Sequence, residues 1–220
     1  MLSLVQLYYG WSAFWISYFV GSLFFPSEKG KTRPIAKITN KKVVVSLIRN
    51  CLVTSLTLPV IYFIPQTIWL PNIWYGHLLK YALAMLLGEI WFYYSHRLMH
   101  HKWFYKWHSD HHAFIQPYAL AGLYCSWVEM ILVNYLAIWI PFQLLGFSIL
   151  ETCVGSMLIA LNVLKGHAGL QLYSERSALA KWIIDWIFSS ETHDLHHEKM
   201  TANFGLLYLL DRIHGTYIDS

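Results

Sequence analysis

The chain reads as an all-α integral membrane protein of about four to five transmembrane helices carrying a helical, histidine-rich cap on the cytosolic side. Three observations predict this. The 220 residues are 56% hydrophobic and 13% charged, about half the charge share of a soluble domain. The apolar residues are blocked: no Asp, Glu, Lys or Arg occurs in 1–27, 50–79 or 130–150, and a run of about 20 apolar residues spans a bilayer. Eight histidines then crowd into three short stretches near the ends of these blocks, HRLMH, HSDHH and HDLHH.

The first apolar segment runs from Leu2 to Phe25. It lacks the basic start of a signal peptide and its apolar run is too long for one, so it is read as a retained span. Lys29, Lys31, Arg33, Lys37, Lys41 and Lys42 follow it and hold much of the +4 net charge. A basic loop between two spans marks the cytoplasmic side, and no nucleic-acid role is expected from it. Val43 to Leu70 is the second segment, with kinks expected at Pro59 and Pro65. Leu78 to Ser95 is the third, and its closing Trp91, Phe92, Tyr93 and Tyr94 suit a membrane–water boundary. Trp127 to Gly146 and Ser148 to Lys165 form a last pair, a hairpin whose uncharged turn leaves its depth open. The expected division is 1–87, the N-terminal spans with the basic loop, and 88–220, the unit that carries the histidines.

Parity tests the scheme. With the basic loop in the cytoplasm, the third segment returns there at His96, and the last pair returns there at His167. All three histidine stretches land on one face. His77 falls on the opposite face and is excluded. The cysteines at 51, 125 and 153 show no metal-binding spacing and are expected to be small buried hydrophobes.

His96 and His100 stand four apart, and His108, His111, His112 and His193, His196, His197 form triplets spaced three and four apart. Such neighbours share one side of a helix. Imidazole is the commonest neutral nitrogen ligand, and eight of them exceed the four that one zinc takes; they suit two metals. Spacing alone leaves the metal open among iron, copper and zinc. Zinc hydrolysis is disfavoured because no HExxH-type base is present. Haem uses at most two axial ligands, which adjacent histidine pairs exceed. A metal cage that only stabilises a lipid-binding membrane protein remains an alternative. Asp110 and Asp194, inside the triplets, are candidates for orienting rings through hydrogen bonds. Glu89, seven residues before His96, is another, since a carboxylate at membrane depth is costly and tends to be functional. Glu129, opening the fourth segment, is a further one. His101 and His214 are read as surface or structural.

The string HRLMHHKWFYKWHSDHHAF, then GHAGL, then ETHDLHHEKMTANFGLLYLLDRIHGTY resembles the fatty acid hydroxylase and sterol desaturase superfamily over roughly 88–217. Its wording is most similar to the sterol 4-methyl oxidase and sterol 5-desaturase branch. The resemblance implies a non-haem di-iron membrane enzyme that uses dioxygen to hydroxylate or desaturate a lipid, with a sterol first and a fatty acyl or alkyl lipid as the alternative. It implies that the metal ligands are His96, His100, His108, His111, His112, His193, His196 and His197, and adds His167 as the lone histidine after the hairpin. The superfamily's fatty acid hydroxylases carry a second histidine there at helical spacing, which is absent here; Gln171 or a water is the expected tenth ligand. Reducing equivalents are expected from NAD(P)H through a separate carrier such as cytochrome b5, because no GxGxxG fingerprint and no haem-binding electron domain is apparent. The expected location is the endoplasmic reticulum in a eukaryote or the inner membrane in a bacterium, with the active site cytosolic.

Overall fold

The computed structural model describes residues 2–25, 40–71, 73–115, 117–168 and 190–219. Among these residues the regular structure is entirely helical. Helix α1 is Leu4–Ser22, α2 Asn40–Tyr62, α3 Trp74–Met99, α4 Trp127–Leu144, α5 Ile149–Ala168, α6 Ser190–Lys199 and α7 Leu209–His214. Three of them, α2, α4 and α5, are long and apolar enough to cross a membrane. The two expected spans that became α1 and α3 have the length but not the mean hydropathy, because Trp and Tyr recur in both and α3 carries Lys80, Glu89 and Arg97.

Ser3 starts α1: its hydroxyl accepts from Gln6 N–H while the Gln6 side chain accepts from Ser3 N–H, a reciprocal cap. The second expected segment is shortened. Its helix runs through Pro59 but stops at Tyr62, and Pro65 lies in the irregular stretch beyond. The last pair is a full hairpin, with helices of 18 and 20 residues. At 1.5 Å per residue each reaches about 27–30 Å, close to the hydrocarbon thickness of a bilayer.

Helix α1 packs along α5, and α3 along α4. Gly21 permits the first contact, since a Cβ there would lie 2.6 Å from Leu164 Cδ1. Several polar side chains inside the bundle are matched. Thr54 Oγ1 accepts from the indoles of Trp11 and Trp15 at 3.1 and 3.2 Å. Asn50 Nδ2 donates to the Leu123 and Cys125 carbonyls. Outward-facing Val5, Ile16, Val45, Leu52, Leu56 and Val60 are exposed, an apolar surface that suits lipid rather than water.

The two ends of α3 are 19 residues apart between His77 and His96, about 28 Å of helix. His77 pairs with Glu151 at 2.6 Å, where α3 meets the start of α5. The other histidines gather at the opposite end.

Candidate metal centre

Three helices and one connection supply the histidines. His96 lies in the last turn of α3 and His100 caps that helix. His167 lies in the last turn of α5. His193, His196 and His197 sit on α6, where the spacing places them on one side as expected. HSDHH differs from the expectation: it is not on an α-helix. After α3 the chain turns sharply, and this triplet follows the 3₁₀ turn Tyr105–Trp107 and runs into the turn His111–Ala113. A bond from His111 N–H to the His108 carbonyl, 3.0 Å, tightens it. The tighter winding still brings the three rings to one side.

The structure brings all nine rings together in two groups. His96, His100, His108, His112 and His196 form one, and His111, His167, His193 and His197 the other; within each, the candidate ligand atoms lie within 4.8 Å of one another. The Nε2 of His108 is 3.1, 2.9 and 3.0 Å from the Nε2 atoms of His96, His100 and His112. The Nε2 of His193 is 2.9 and 3.1 Å from those of His167 and His197.

Backbone carbonyls decide which nitrogen is free. His96 Nδ1–H donates to Phe204 at 2.7 Å, His196 to Ala202 at 2.6 Å, His197 to Phe114 at 2.9 Å and His167 to Val163 at 2.7 Å. A carbonyl only accepts, so in each ring Nδ1 holds the hydrogen and Nε2 keeps its lone pair. Such partners fix both tautomer and orientation in metal-binding histidines. His196 Nε2 is buried without a hydrogen-bond partner, a buried acceptor aimed at the centre of its group. Burial, reinforced by neighbouring imidazoles, holds His108, His111, His193, His196 and His197 well below the usual histidine range. The same causes lower His100 to about 2 and His112 to about 3. Neutral rings are the form that binds metal.

This donor set fits a pair of transition metals of high coordination number. Metal–nitrogen bonds of about 2.1 Å put adjacent ligands about 3.0 Å apart in an octahedron and about 3.4 Å apart in a tetrahedron. The Nε2 separations above match the octahedral value. Five imidazoles also exceed tetrahedral zinc.

The C-terminal NFG and DRIHGT strings form the support beneath these carbonyls. Asp211, fully buried, accepts from Phe204 N–H at 2.8 Å, Gly205 N–H at 2.6 Å and Thr216 Oγ1 at 2.7 Å. Asn203, at φ 57°, takes a left-handed conformation that Asn tolerates better than most residues; it bridges Thr192 and Ile218. The Ala202 and Phe204 carbonyls are thereby held in place for His196 and His96. On the other side, a Cβ at Gly122 would lie 2.8 Å from His167 Nδ1, so only glycine lets that turn close on the ring.

The carboxylates differ most from the expectations. Glu89 touches no imidazole among the described residues. It accepts from the backbone N–H groups of Leu206, Leu207 and Leu210 at 2.6, 2.8 and 3.4 Å, pinning the turn that leads into α7. Nor does it pair with Arg97, which donates to Tyr93 Oη. Asp110 is exposed and orients no ring among the described residues. Asp194 lies half-buried on α6, close enough to Tyr208 to disfavour its ionisation. Gln171 lies outside the described residues. The carboxylate beside the rings is Glu129, 2% exposed: its Oε2 is 3.0 Å from His108 Nδ1 and its Oε1 is 3.9 Å from His111 Nδ1. It meets one ring of each group. His101 is exposed, and His214 packs on Tyr93 and bonds Tyr94 Oη, in keeping with surface and structural roles.

A small cavity of about 60 Å³ adjoins both groups, reaching His96 of the first and His111, His167 and His193 of the second. Asn134 and Asn162 also line it. Sequence reasoning missed both. Helix α4 contains a π-helical stretch, Met130–Tyr135. Asn134, inside this i→i+5 winding, and Glu129, just before it, both line the cavity, whereas five residues of α-helix would set them roughly 140° apart. No spacing rule for α-helices finds that pair.

A family model described as fatty acid hydroxylase matches residues 81–216. Among curated proteins, the human protein named fatty acid hydroxylase domain-containing protein 2 is 28% identical over 198 residues, covering 86% of this chain and 55% of its own length. Sphinganine C4-monooxygenase 1 of Arabidopsis thaliana is 29% identical over 147 residues, covering 63% of this chain and 54% of its own. A methylsterol monooxygenase of Aspergillus fumigatus is 27% identical over 152 residues, covering 64% and 49%. The chain thus spans about half the length of the curated relatives it matches. No solved structure matches it.

Proposed function

The chain belongs to the fatty acid hydroxylase family, and from that premise we propose that it is a membrane-bound non-haem di-iron oxygenase that hydroxylates or desaturates a lipid. The observation that carries the proposal is the convergence of nine neutral imidazoles into a five-ring and a four-ring group around one cavity. His96, His100, His108, His112 and His196 hold one iron; His111, His167, His193 and His197 hold the other. When bound, the iron pair supplies dioxygen activation, the redox chemistry that amino-acid side chains lack.

The chain's own groups do the rest. Backbone carbonyls of 114, 163, 202 and 204 keep Nε2 lone pairs pointed inward. Glu129 faces His108 Nδ1 at 3.0 Å. The buried cavity keeps water from the reacting carbon, and apolar Phe92, Val163 and Leu206 on its wall favour a hydrocarbon part of the substrate. Electrons come from NAD(P)H through a separate carrier of the cytochrome b5 kind. The basic loop of 29–42 places the site on the cytosolic face by the positive-inside tendency, in the endoplasmic reticulum of a eukaryote or the inner membrane of a bacterium.

A sterol is the first substrate to test, on the wording of the motifs and the methylsterol relative. A long-chain alkyl lipid is the second reading, favoured by the sphinganine relatives. Lipid profiles of cells expressing the intact chain and the His196→Ala/His197→Ala double variant test both. A lipid that gains oxygen or loses two hydrogens only with the intact chain is the expected result. Purified protein should carry two irons per chain. Identical lipid profiles, or no iron, would refute the proposal.

A further inference from the structure

Two polar side chains of the cavity have no part in holding metal. Asn134 on α4 and Asn162 on α5 are half-buried, lie on helices apolar enough to cross a membrane, and have no hydrogen-bond partner among the described residues. Each carboxamide offers two N–H donors and an accepting oxygen. Leaving such a group unpaired in apolar surroundings is costly. Other amides of the bundle avoid that cost. Gln143, on the same helix as Asn134, accepts from Leu2 N–H and donates to the Tyr62 and Ile64 carbonyls. Asn50 is likewise satisfied. The unpaired amides coincide with the cavity, and one of them lies in the π-helical stretch of α4.

Resting on the oxygenase reading above, we propose that Asn134 and Asn162 are specificity-determining residues that bind a hydroxyl group of the lipid close to the carbon that is oxidised. A hydroxyl both donates and accepts, so one amide N–H donates to its oxygen while the other amide's carbonyl accepts its hydrogen. No Lys or Arg lines the cavity, which argues against a carboxylate or phosphate in that position. The cavity is only about 60 Å³ and already includes rings from both histidine groups. A hydroxyl bound there lies within a few bonds of the reacting carbon. The substrate class is therefore a lipid alcohol oxidised next to, or near, its hydroxyl, and not a bare methylene far along a chain.

The test is binding to the purified full chain in detergent, read without turnover. Two matched pairs of probes are used: cholestanol with cholestane, and 1-octadecanol with octadecane. One hydrogen bond retained in a dry site is worth on the order of five- to tenfold in affinity. The wild type should bind at least one alcohol that much more tightly than its hydrocarbon. Asn134→Leu and Asn162→Leu should each lower this ratio toward that of the detergent alone, with iron content unchanged. Equal ratios in wild type and variants overturn the proposal, as does a cavity that prefers neither alcohol because water alone satisfies the amides. Loss of iron in either variant also overturns it, by placing the side chain in the metal cage. Because binding is measured apart from catalysis, a retained preference with no oxidised lipid in cells would refute the oxygenase and leave the hydroxyl site standing.

Discussion

Asp211 supports two of the five rings in the first histidine group without touching either, and under the proposed two-iron reading its removal should affect one metal site more than the other. Its carboxylate accepts from two buried backbone N–H groups and from Thr216. Asp211→Ala leaves the Phe204 and Gly205 amides unsatisfied, at roughly 1–3 kcal/mol each, so the turn 202–205 loses about 2–6 kcal/mol of local stability. That turn carries the carbonyls that fix His96 and His196. Both rings belong to the five-ring group, whereas the four-ring group takes its anchors from Phe114 and Val163. Iron per chain, measured by elemental analysis on the folded detergent-solubilised fraction, should fall from two toward one. Asp211→Asn, which keeps one accepting oxygen, should lose less. Retention of two irons, or loss of both together in a fraction that is still folded, would refute the reasoning that the C-terminal turn serves one metal selectively.

Glu129→Gln keeps the shape but replaces the carboxyl group that faces His108 Nδ1 at 3.0 Å. Loss of a ring-orienting partner costs about 10–100-fold in metal affinity; competition with a chromophoric chelator should show this, and unchanged affinity would mean that Glu129 only fills space. The metal-free protein should lose stability in acid. His112, lowered to about 3 in the fold, takes up a proton near pH 6.5 once unfolded. The unfolded state therefore binds more protons between pH 6.5 and 3, and stability falls as pH drops through that window by about 1.4 kcal/mol per unit for this one group. The other depressed histidines act in the same direction. Thermal unfolding of chelated protein from pH 8 to 5 measures it, and a melting temperature that rises toward pH 5 would contradict the neutral-ring description.

The membrane helices and the histidine candidates were legible in the one-dimensional order of residues. Charge-free blocks and three- and four-residue histidine spacing are local patterns; HRLMH and HDLHH map onto a helix or its end, whereas HSDHH keeps its spacing in 3₁₀ turns. The limits of α2 were less legible, since Pro59 is tolerated within the helix while Pro65 lies beyond it, and a proline by itself does not say which.

What tertiary structure decided is how distant groups pair. Nothing in the order of residues sorts nine histidines into five and four, because each group draws on three separate segments. Nor does it show that Glu89 caps a turn more than a hundred residues away, or that of the candidate carboxylates Glu129, and not Asp110 or Glu89, is the one beside a ring. A carboxylate's partner depends on which backbone amides and imidazoles the fold delivers to it, and a π-turn rotates Asn134 out of the register that α-helical periodicity assumes. Composition and spacing determine which groups can bind metal and enter a membrane; only close packing of α3, α4, α5 and α6 determines which atoms meet.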